Sequence, residues 1–588
     1  MPNRRKPISF DTTLRNPERI PQFVSILSKY ENQIMTSDVA LELESEIIRQ
    51  KIYEPTKATL GTYMKEYHDK FEFYAADQSK DACKKVESYY EEWKNAEASQ
   101  VEKEKIMYLL KNTITAHKEA NWAGGWESRI HTQFNFLNEL GLVRVAKDKK
   151  IIISDNGKMM IKSYENGFPI EETYDPTYEQ SAFLNAFAKY QTNNPYRRNT
   201  ISVNVFALIL NVIRYLDKKY NKSGISIQDL SFIIVWDNND YETLAEYIYR
   251  FRETFGYNTS DEMVYEYAMN LLDESTSNTI TPATQEFIEN KRIDYKMSKI
   301  MKETPDDVIR KLRYSMLISL RGAGRFIDIN SNEEEKIEYI ISNYSNNISF
   351  DDEDSFIEYM GSIDSKLLFE TDKQENEEQK TIKEKLIEAW AVDKDWDYIK
   401  KELQNLSNKR ESDDFALRYI KETARLEFLI AITVKKALPN IKVVANYVAD
   451  DQGFPFNTAL GRNGQSIGAD IDVYENNVHA LFEPTLARSY SFQVEHELPS
   501  ISKHLIETAS EDVEEENYNE WFAIFVAPSV NGQVGNTIAV MKFVSGVEIY
   551  PWTIEDFVLF SQNVTSIKDF KCIRPYAEAV TMPNIREL

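Results

Sequence analysis

One stretch limits what the last third of this chain can fold into. Residues 468–485 read Gly-Ala-Asp-Ile-Asp-Val-Tyr-Glu-Asn-Asn-Val-His-Ala-Leu-Phe-Glu-Pro-Thr. Apolar and polar residues alternate on both sides of Asn476-Asn477, and Asn tolerates the left-handed backbone that a two-residue hairpin turn needs. The pattern predicts two antiparallel strands with Asp470 opposite Glu483. Side chains alternate along a strand, so Asp470, Asp472, Leu481 and Glu483 share one face. Ile471, Val473, Val478, Ala480 and Phe482 share the other, which is apolar enough for a core. Two carboxylates facing each other at about 5 Å repel, and a hard cation between them turns repulsion into binding. The stretch predicts a magnesium site, of one or two ions, on a sheet. A solvated acidic hairpin is the plainer alternative.

At 588 residues the chain is too long for one core, and it predicts several domains. Its 34 Tyr and 30 Phe can fill large interiors. Two cysteines, Cys83 and Cys572, lie far apart, which argues against a disulfide framework or a zinc cluster. With no apolar run of membrane-spanning length, the sequence predicts a soluble, cytoplasmic protein with no membrane partner. A net charge of −25 argues at first against nucleic acid. The charge is uneven, however: residues 1–330 carry a net −3, residues 331–420 a net −12 and residues 421–588 a net −10. The front of the chain is nearly neutral and has room for basic patches.

Several such patches stand out. Near the start, Asn16 is a helix cap, Pro17 a first helical residue and Glu18 a favourable charge at the helix's positive end. Arg15 and Arg19 flank that cap. Farther on, residues 126–140 form an amphipathic helix with Ile130, Phe134, Leu137 and Leu140 inward, and Gly141 ends it. A strand at 142–145, a basic tip at 146–150 and a returning strand at 151–153 follow. Helix, strand, basic tip, strand is the layout of a winged helix, which reads the major groove with its helix and touches the backbone with its wing. Arg129, His131 and Asn135 on the helix and Lys147, Lys149 and Lys150 on the tip are the candidate DNA contacts. Arg197 and Arg198 in a polar loop add to them. So do Arg313, Arg321 and Arg325 around a second hairpin with a Gly-rich basic tip at 317–329. A winged helix that contacts protein is the alternative. An acidic helical stretch at 346–410 reads as a linker.

From residue 411 onward the order is helix, strand, acidic hairpin, helix and apolar strand. This is the layout of a restriction-endonuclease-like nuclease core, whose signature is Pro-Asp, a gap, then Asp/Glu-x-Lys. Here Ala469-Asp470 and Glu483-Pro484-Thr485 stand in those places, with Thr485 where the lysine belongs.

The chain as a whole resembles the AlwI-type type IIS restriction endonucleases, a family that includes strand-nicking enzymes. The resemblance lies in residues 10–19, in 47–55, in the winged segment at 140–160, and in 468–485 followed by Phe522-Ala523-Ile524-Phe525-Val526-Ala527-Pro528. It implies a multidomain α+β protein. Residues 1–170 and 171–345 would be mainly helical DNA-recognition subdomains with winged-helix units, 346–410 an acidic linker, and 411–588 an α/β nuclease domain of variant PD-(D/E)xK type. It also implies a magnesium-dependent nuclease that cuts duplex DNA at a fixed distance outside a short asymmetric site. By position the resemblance gives Asp470, Glu483 and Glu427 as metal-binding carboxylates, with Glu495 as a fourth acid and His504 beside them. The role of the absent lysine falls to a second metal, to Glu495 or to His504. A single nuclease domain per chain predicts a transient homodimer for double-strand cutting, with monomeric nicking as the alternative. The rival function is a winged-helix DNA-binding regulator whose nuclease-like domain is inactive.

Overall fold

The computed structural model of the chain describes residues 6–10, 12–56, 80–113, 115, 122, 125–170, 173–197, 201–274, 280–370, 377–459, 468–514 and 518–572. Arg198 lies outside the described residues. The chain divides into two compact units. No described helix is long and apolar enough to cross a membrane.

The first unit comprises Met1–Ile170, Pro176–Leu317 and Glu333–Phe369 and is mainly helical. The Asn16 side chain accepts a hydrogen bond from the Glu18 amide and starts a helical turn at Pro17–Arg19. Helix α1 (Ile20–Ser28) follows and buries Ile20, Phe23, Val24, Ile26 and Leu27. Thr36 caps α2 (Ser37–Arg49) through its hydroxyl. Helix α3 (Gly125–Glu139) buries Ile130, Phe134 and Leu137, so its inward stripe is the one its periodicity demands. Gly141 ends it at φ 65°, in the left-handed conformation that a Cβ disfavours. The short strands β1 (Val143–Arg144) and β2 (Ile152–Ile153) then pair antiparallel around the tip. Helices α4 (Val205–Tyr220) and α5 (Thr304–Tyr314) continue the unit.

The second unit comprises Glu171–Asp175, Ile318–Asn332 and Glu370–Leu588. This differs from the expected layout in two places. The second basic hairpin, β3 (Ile318–Arg321) and β4 (Phe326–Ile329), belongs here and not with the preceding helices. Ser319, Arg321 and Ser331 all bond to Asp451, which explains the attachment. The acidic stretch is not a free linker either. Its helices α6 (Glu377–Asp393) and α7 (Trp396–Ser407) bury Ile387, Ala391, Ile399, Leu403 and Leu406 in the core of this unit. Charge runs hid those positions, because the acids of these helices other than the buried Glu402 are exposed or half-buried.

The centre of the unit is α8 (Glu422–Ala437) packed on a five-stranded sheet. The strands are β5 (Lys442–Ala445), β6 (Ile471–Glu475), β7 (Val478–Pro484), β8 (Glu520–Ala527) and β9 (Ile549–Thr553). They lie side by side in the order β9-β8-β7-β6-β5. The first two pairings, β9 with β8 and β8 with β7, are parallel, and the other two are antiparallel. Strand β7 is therefore central and buried along its whole length, as a parallel strand covered on both sides must be. One sheet face, with Ile471, Val473, Val478, Ala480 and Phe482, packs into the core shared by α6, α7, α8 and α10 (Ile554–Ser561). The other face carries Ala469 and Leu481, and α9 (Leu498–Glu514) covers it with Leu498, Ile501 and Leu505. The hairpin register is the one that alternation and the Asn-Asn turn predict: Ile471 pairs with Phe482 and Glu475 with Val478. Asn476 takes the left-handed conformation at φ 53°.

Candidate active site

Asp470 sits one residue before β6, in line with Glu483 near the end of β7. Asn446 holds that backbone, since its amide donates to Asp470 O at 2.9 Å and its side chain donates to Ala469 O at 2.7 Å. Glu483 is buried in the middle of the sheet. Glu427 is buried as well, on α8, whose other buried residues are apolar apart from Arg425 and Thr433. Burial and three more carboxylates (Glu427, Glu483 and Glu497, in that order) push Asp470's proton affinity well above the usual carboxylate range, and Asp472 adds to the effect. The acids at the end of the hairpin thus form one electrostatic group.

His504 on α9 is buried, and its Nδ1 lies 2.9 Å from Glu483 Oε1. Its other nitrogen faces Ser500 Oγ at 3.4 Å. Thr485 Oγ1 donates to Glu497 Oε1 at 2.6 Å, and the Thr485 amide donates to Val526 O on β8. The hydroxyl also accepts from the Ala487 amide at 3.1 Å. A π-helical turn, Gln493–Glu497, leads into α9 and carries Glu497 toward the sheet.

Four of the five expected catalytic residues therefore come together, and Glu495 does not. Glu495 is exposed, and Glu497, half-buried, is the acid that acts on Asp470. A signal for it was present: Glu497 and His504 stand seven residues apart, two turns on one helix face, while nine residues place Glu495 on the opposite face. Asp472 is engaged elsewhere, accepting from Asn446 and bonding to His479.

The candidate DNA contacts divide sharply. Lys149 and Lys150 are exposed on the tip between β1 and β2, and Lys147 and His131 are half-buried beside a cavity that Trp122 and Tyr196 also line. Arg325 is exposed on the β3–β4 tip. The others serve the fold. Arg15 pairs with Asp306 at 2.8 Å, Arg19 donates to Ile52 O, and Arg129 lies over Tyr53 and Trp126. Asn135 donates to Glu139, Arg197 pairs with the fully buried Glu139 at 2.9 Å, and Arg313 is itself buried. Arg321 is held by Asp328 and Asp451. Sequence position marks a basic residue near a wing but not whether an acid of the same unit already holds it.

The sequence profile of the AlwI restriction endonuclease family matches residues 138–383 and 369–560. The chain belongs to this family. The match takes in α3 at its C-terminal end, the β1–β2 hairpin and every acid of the group around Asp470. Among curated proteins no sequence relative matches. Solved structures that the chain is similar to include the small subunit of the heterodimeric restriction endonuclease R.BspD6I, at 19% identity over 27% of this chain and 73% of that one, with a TM-score of 0.21. They also include restriction endonuclease FokI, at 10% identity over 93% and 98% of the two chains, and FokI bound to DNA, at 12% over 91% and 96%, each with a TM-score of 0.22.

Among the described residues, no three His, Cys, Asp or Glu side chains converge in the arrangement of a metal site. The chemistry of the group still suits a hard cation. Glu427, Glu483 and Glu497 all act on Asp470, and a set of carboxylate oxygens is the donor set that hard cations take.

Proposed function

We propose that this chain is a site-specific DNA endonuclease of type IIS organisation, in which the first unit recognises duplex DNA and the second hydrolyses it. The observation that carries this reading is the mutual repulsion at Asp470. A half-buried acid at the end of a β-hairpin with three further acids acting on it is costly to keep ionised unless something of opposite charge is bound there during work.

Asp470 and Glu483 are the primary ligands in this reading, with Glu427 behind them. A magnesium ion held there would neutralise the phosphate and lower the pKa of a bound water. His504 holds Glu483 through Oε1, and Thr485 holds Glu497 through its Oε1. Glu497 is then the acceptor for a proton of the attacking water, a role that a lysine assists in the usual signature. The water oxygen forms a new bond to phosphorus as the bond from phosphorus to the leaving sugar oxygen breaks, and that oxygen takes a proton from solvent.

On the recognition side, α3 with its β1–β2 hairpin acts as a winged helix. Lys149 and Lys150 reach phosphates, and His131 and Lys147 lie nearer the bases. A chain with one such site cuts one strand at a time, so double-strand cutting requires a transient homodimer.

Supercoiled plasmid incubated with magnesium chloride or with EDTA tests the reading. Wild type should nick or linearise it only with magnesium, and Asp470→Ala should not. No metal-dependent cutting by wild type overturns the function, and cutting by Asp470→Ala overturns the site.

A further inference from the structure

A second polar cluster lies on the same sheet face as the carboxylates, and the proposed chemistry does not use it. His479, on β7, is only 4% exposed. Its Nε2 lies 2.8 Å from Asp472 Oδ1 on β6, and its Nδ1 lies 2.7 Å from Asp512 Oδ2 on α9. Trp521 Nε1, on β8, donates to the same Asp512 oxygen at 2.7 Å. The rings of Tyr474 and Tyr518 lie 4.3 and 5.5 Å from the imidazole, and Lys442 of β5 stands over Tyr474. Burial lowers the proton affinity of His479, yet the two carboxylates outweigh it and the net shift is upward.

The position of this cluster matters more than its composition. His479 precedes Glu483 by four residues on β7, a span of about 13 Å. Asp512 follows His504 by eight residues on α9, a span of about 12 Å. The pairs Glu483–His504 and His479–Asp512 are thus two rungs between the same strand and the same helix, with matching spacing on both rails. One rung leaves a helix free to pivot about its contact. Two rungs fix it along the strand. The end of α9 nearest the carboxylates carries His504, and the π-turn before it carries Glu497.

We propose that His479 is a positioning residue: held between Asp472 and Asp512, it sets α9 along β7 and so places His504 and Glu497 against Asp470 and Glu483. The inference rests on the reading of those four residues as the site. Neutralising Asp472 also keeps a bystander acid from competing with Asp470 for the bound cation.

The test uses the full chain, supercoiled plasmid and magnesium chloride, with His479→Gln, Asp512→Asn and Asp470→Asn as variants. At saturating magnesium, His479→Gln should slow the first cut by about tenfold or more, because small misplacements of catalytic groups cost of that order or beyond. Its DNA binding by gel shift without magnesium should equal that of wild type. Asp512→Asn keeps an acceptor for His479 and Trp521 but removes a charge that sustains the imidazolium. It should cut near the wild-type rate in mild acid and lose activity at a lower pH than wild type does. Histidine-selective 15N spectra should show both His479 nitrogens protonated at neutral pH in wild type and not in Asp512→Asn. Wild-type rates and an unmoved alkaline limb in folded His479→Gln and Asp512→Asn overturn the proposal. If His479→Gln does not fold, the alkaline limb of Asp512→Asn decides alone. Asp470→Asn separates the two ideas: cutting by this variant overturns the site itself, whereas a dead Asp470→Asn beside wild-type-like clamp variants overturns only the positioning role.

Discussion

Thr485 stands where a lysine is usual in this kind of nuclease core, and its hydroxyl donates a 2.6 Å hydrogen bond to Glu497 Oε1. The bond spans the end of β7 and the turn that opens α9. It ties an acid that the hairpin does not contain to the strand that carries Glu483. Replacing Thr485 by Val keeps the shape and removes the donor. Hydrogen bonds to charged groups contribute about 1.5–3 kcal/mol, so the first-turnover rate should fall by about tenfold to a hundredfold. Gel-shift binding should not change. A Thr485→Val enzyme that cuts at the wild-type rate would remove Glu497 from the mechanism.

The two glutamates of the π-turn give a sharper comparison. Glu495 is exposed and Glu497 acts on Asp470. Glu495→Gln should cut plasmid like wild type, since surface changes of this kind usually stay within about 0.5 kcal/mol. Glu497→Gln removes a charge and a proton acceptor, and its cutting should fall by about a hundredfold or more. The reverse ranking in a plasmid assay would restore Glu495 to the site.

Asp470 makes a prediction about stability. Burial and neighbouring acids raise its folded pKa above the unfolded value. A raised carboxylate contributes stability at low pH, which is lost as pH rises through the folded pKa. Without metal, wild type should therefore lose stability at this residue as pH rises above the ordinary carboxylate range. Asp470→Asn should melt higher than wild type in EDTA, with a gap that widens with pH, at about 2–4 °C per kcal/mol. Magnesium should raise the melting temperature of wild type and not of Asp470→Asn. Calorimetry that shows wild type and variant melting together at alkaline pH in EDTA would contradict the repulsion.

The hairpin was the most legible part of the sequence, for a physical reason. Strict alternation has a period of two, so a slip by one residue would turn Ile471, Val473 and Phe482 out of the core and the acids into it. That rigidity made the pairing of Ile471 with Phe482 readable from composition alone. The order helix α3, strand β1, strand β2 was legible through Gly141, whose φ of 65° ends the helix where the periodicity stops. Partnerships across long separations were not legible. Nothing near Arg197 announces Glu139, and nothing near Arg321 announces Asp451. The helices α6 and α7 were misread because acidic outer faces dominate their composition, while Ile387, Ile399 and Leu403 face inward at helical spacing. Glu497 was missed by two positions because the family resemblance, not helix phase, placed the fourth acid at Glu495, whereas the seven-residue spacing to His504 marks Glu497.

The basic residues of the first unit give the last comparison, between charges free for DNA and charges spent on the fold. Lys149 and Lys150 are exposed at the β1–β2 tip, and the proposed function puts them on the phosphate backbone. Replacing either by Ala should weaken DNA binding at every sequence alike and reduce the slope of log affinity against log salt by about one. Neither change should affect folding. Arg197 stood beside them as a candidate by sequence, yet its guanidinium pairs at 2.9 Å with Glu139, whose side chain is fully buried, and also donates to Ser9 O. Tyr190 also donates to Oε2 of that carboxylate, at 2.9 Å. Arg197→Ala would leave a buried negative charge without its cation, which costs about 3 kcal/mol or more. The variant should melt several degrees lower while retaining the wild-type salt slope wherever it is still folded. A salt slope that drops with Arg197→Ala, at unchanged melting temperature, would return Arg197 to the DNA contacts. A slope unmoved by Lys149→Ala and Lys150→Ala would take the wing out of them.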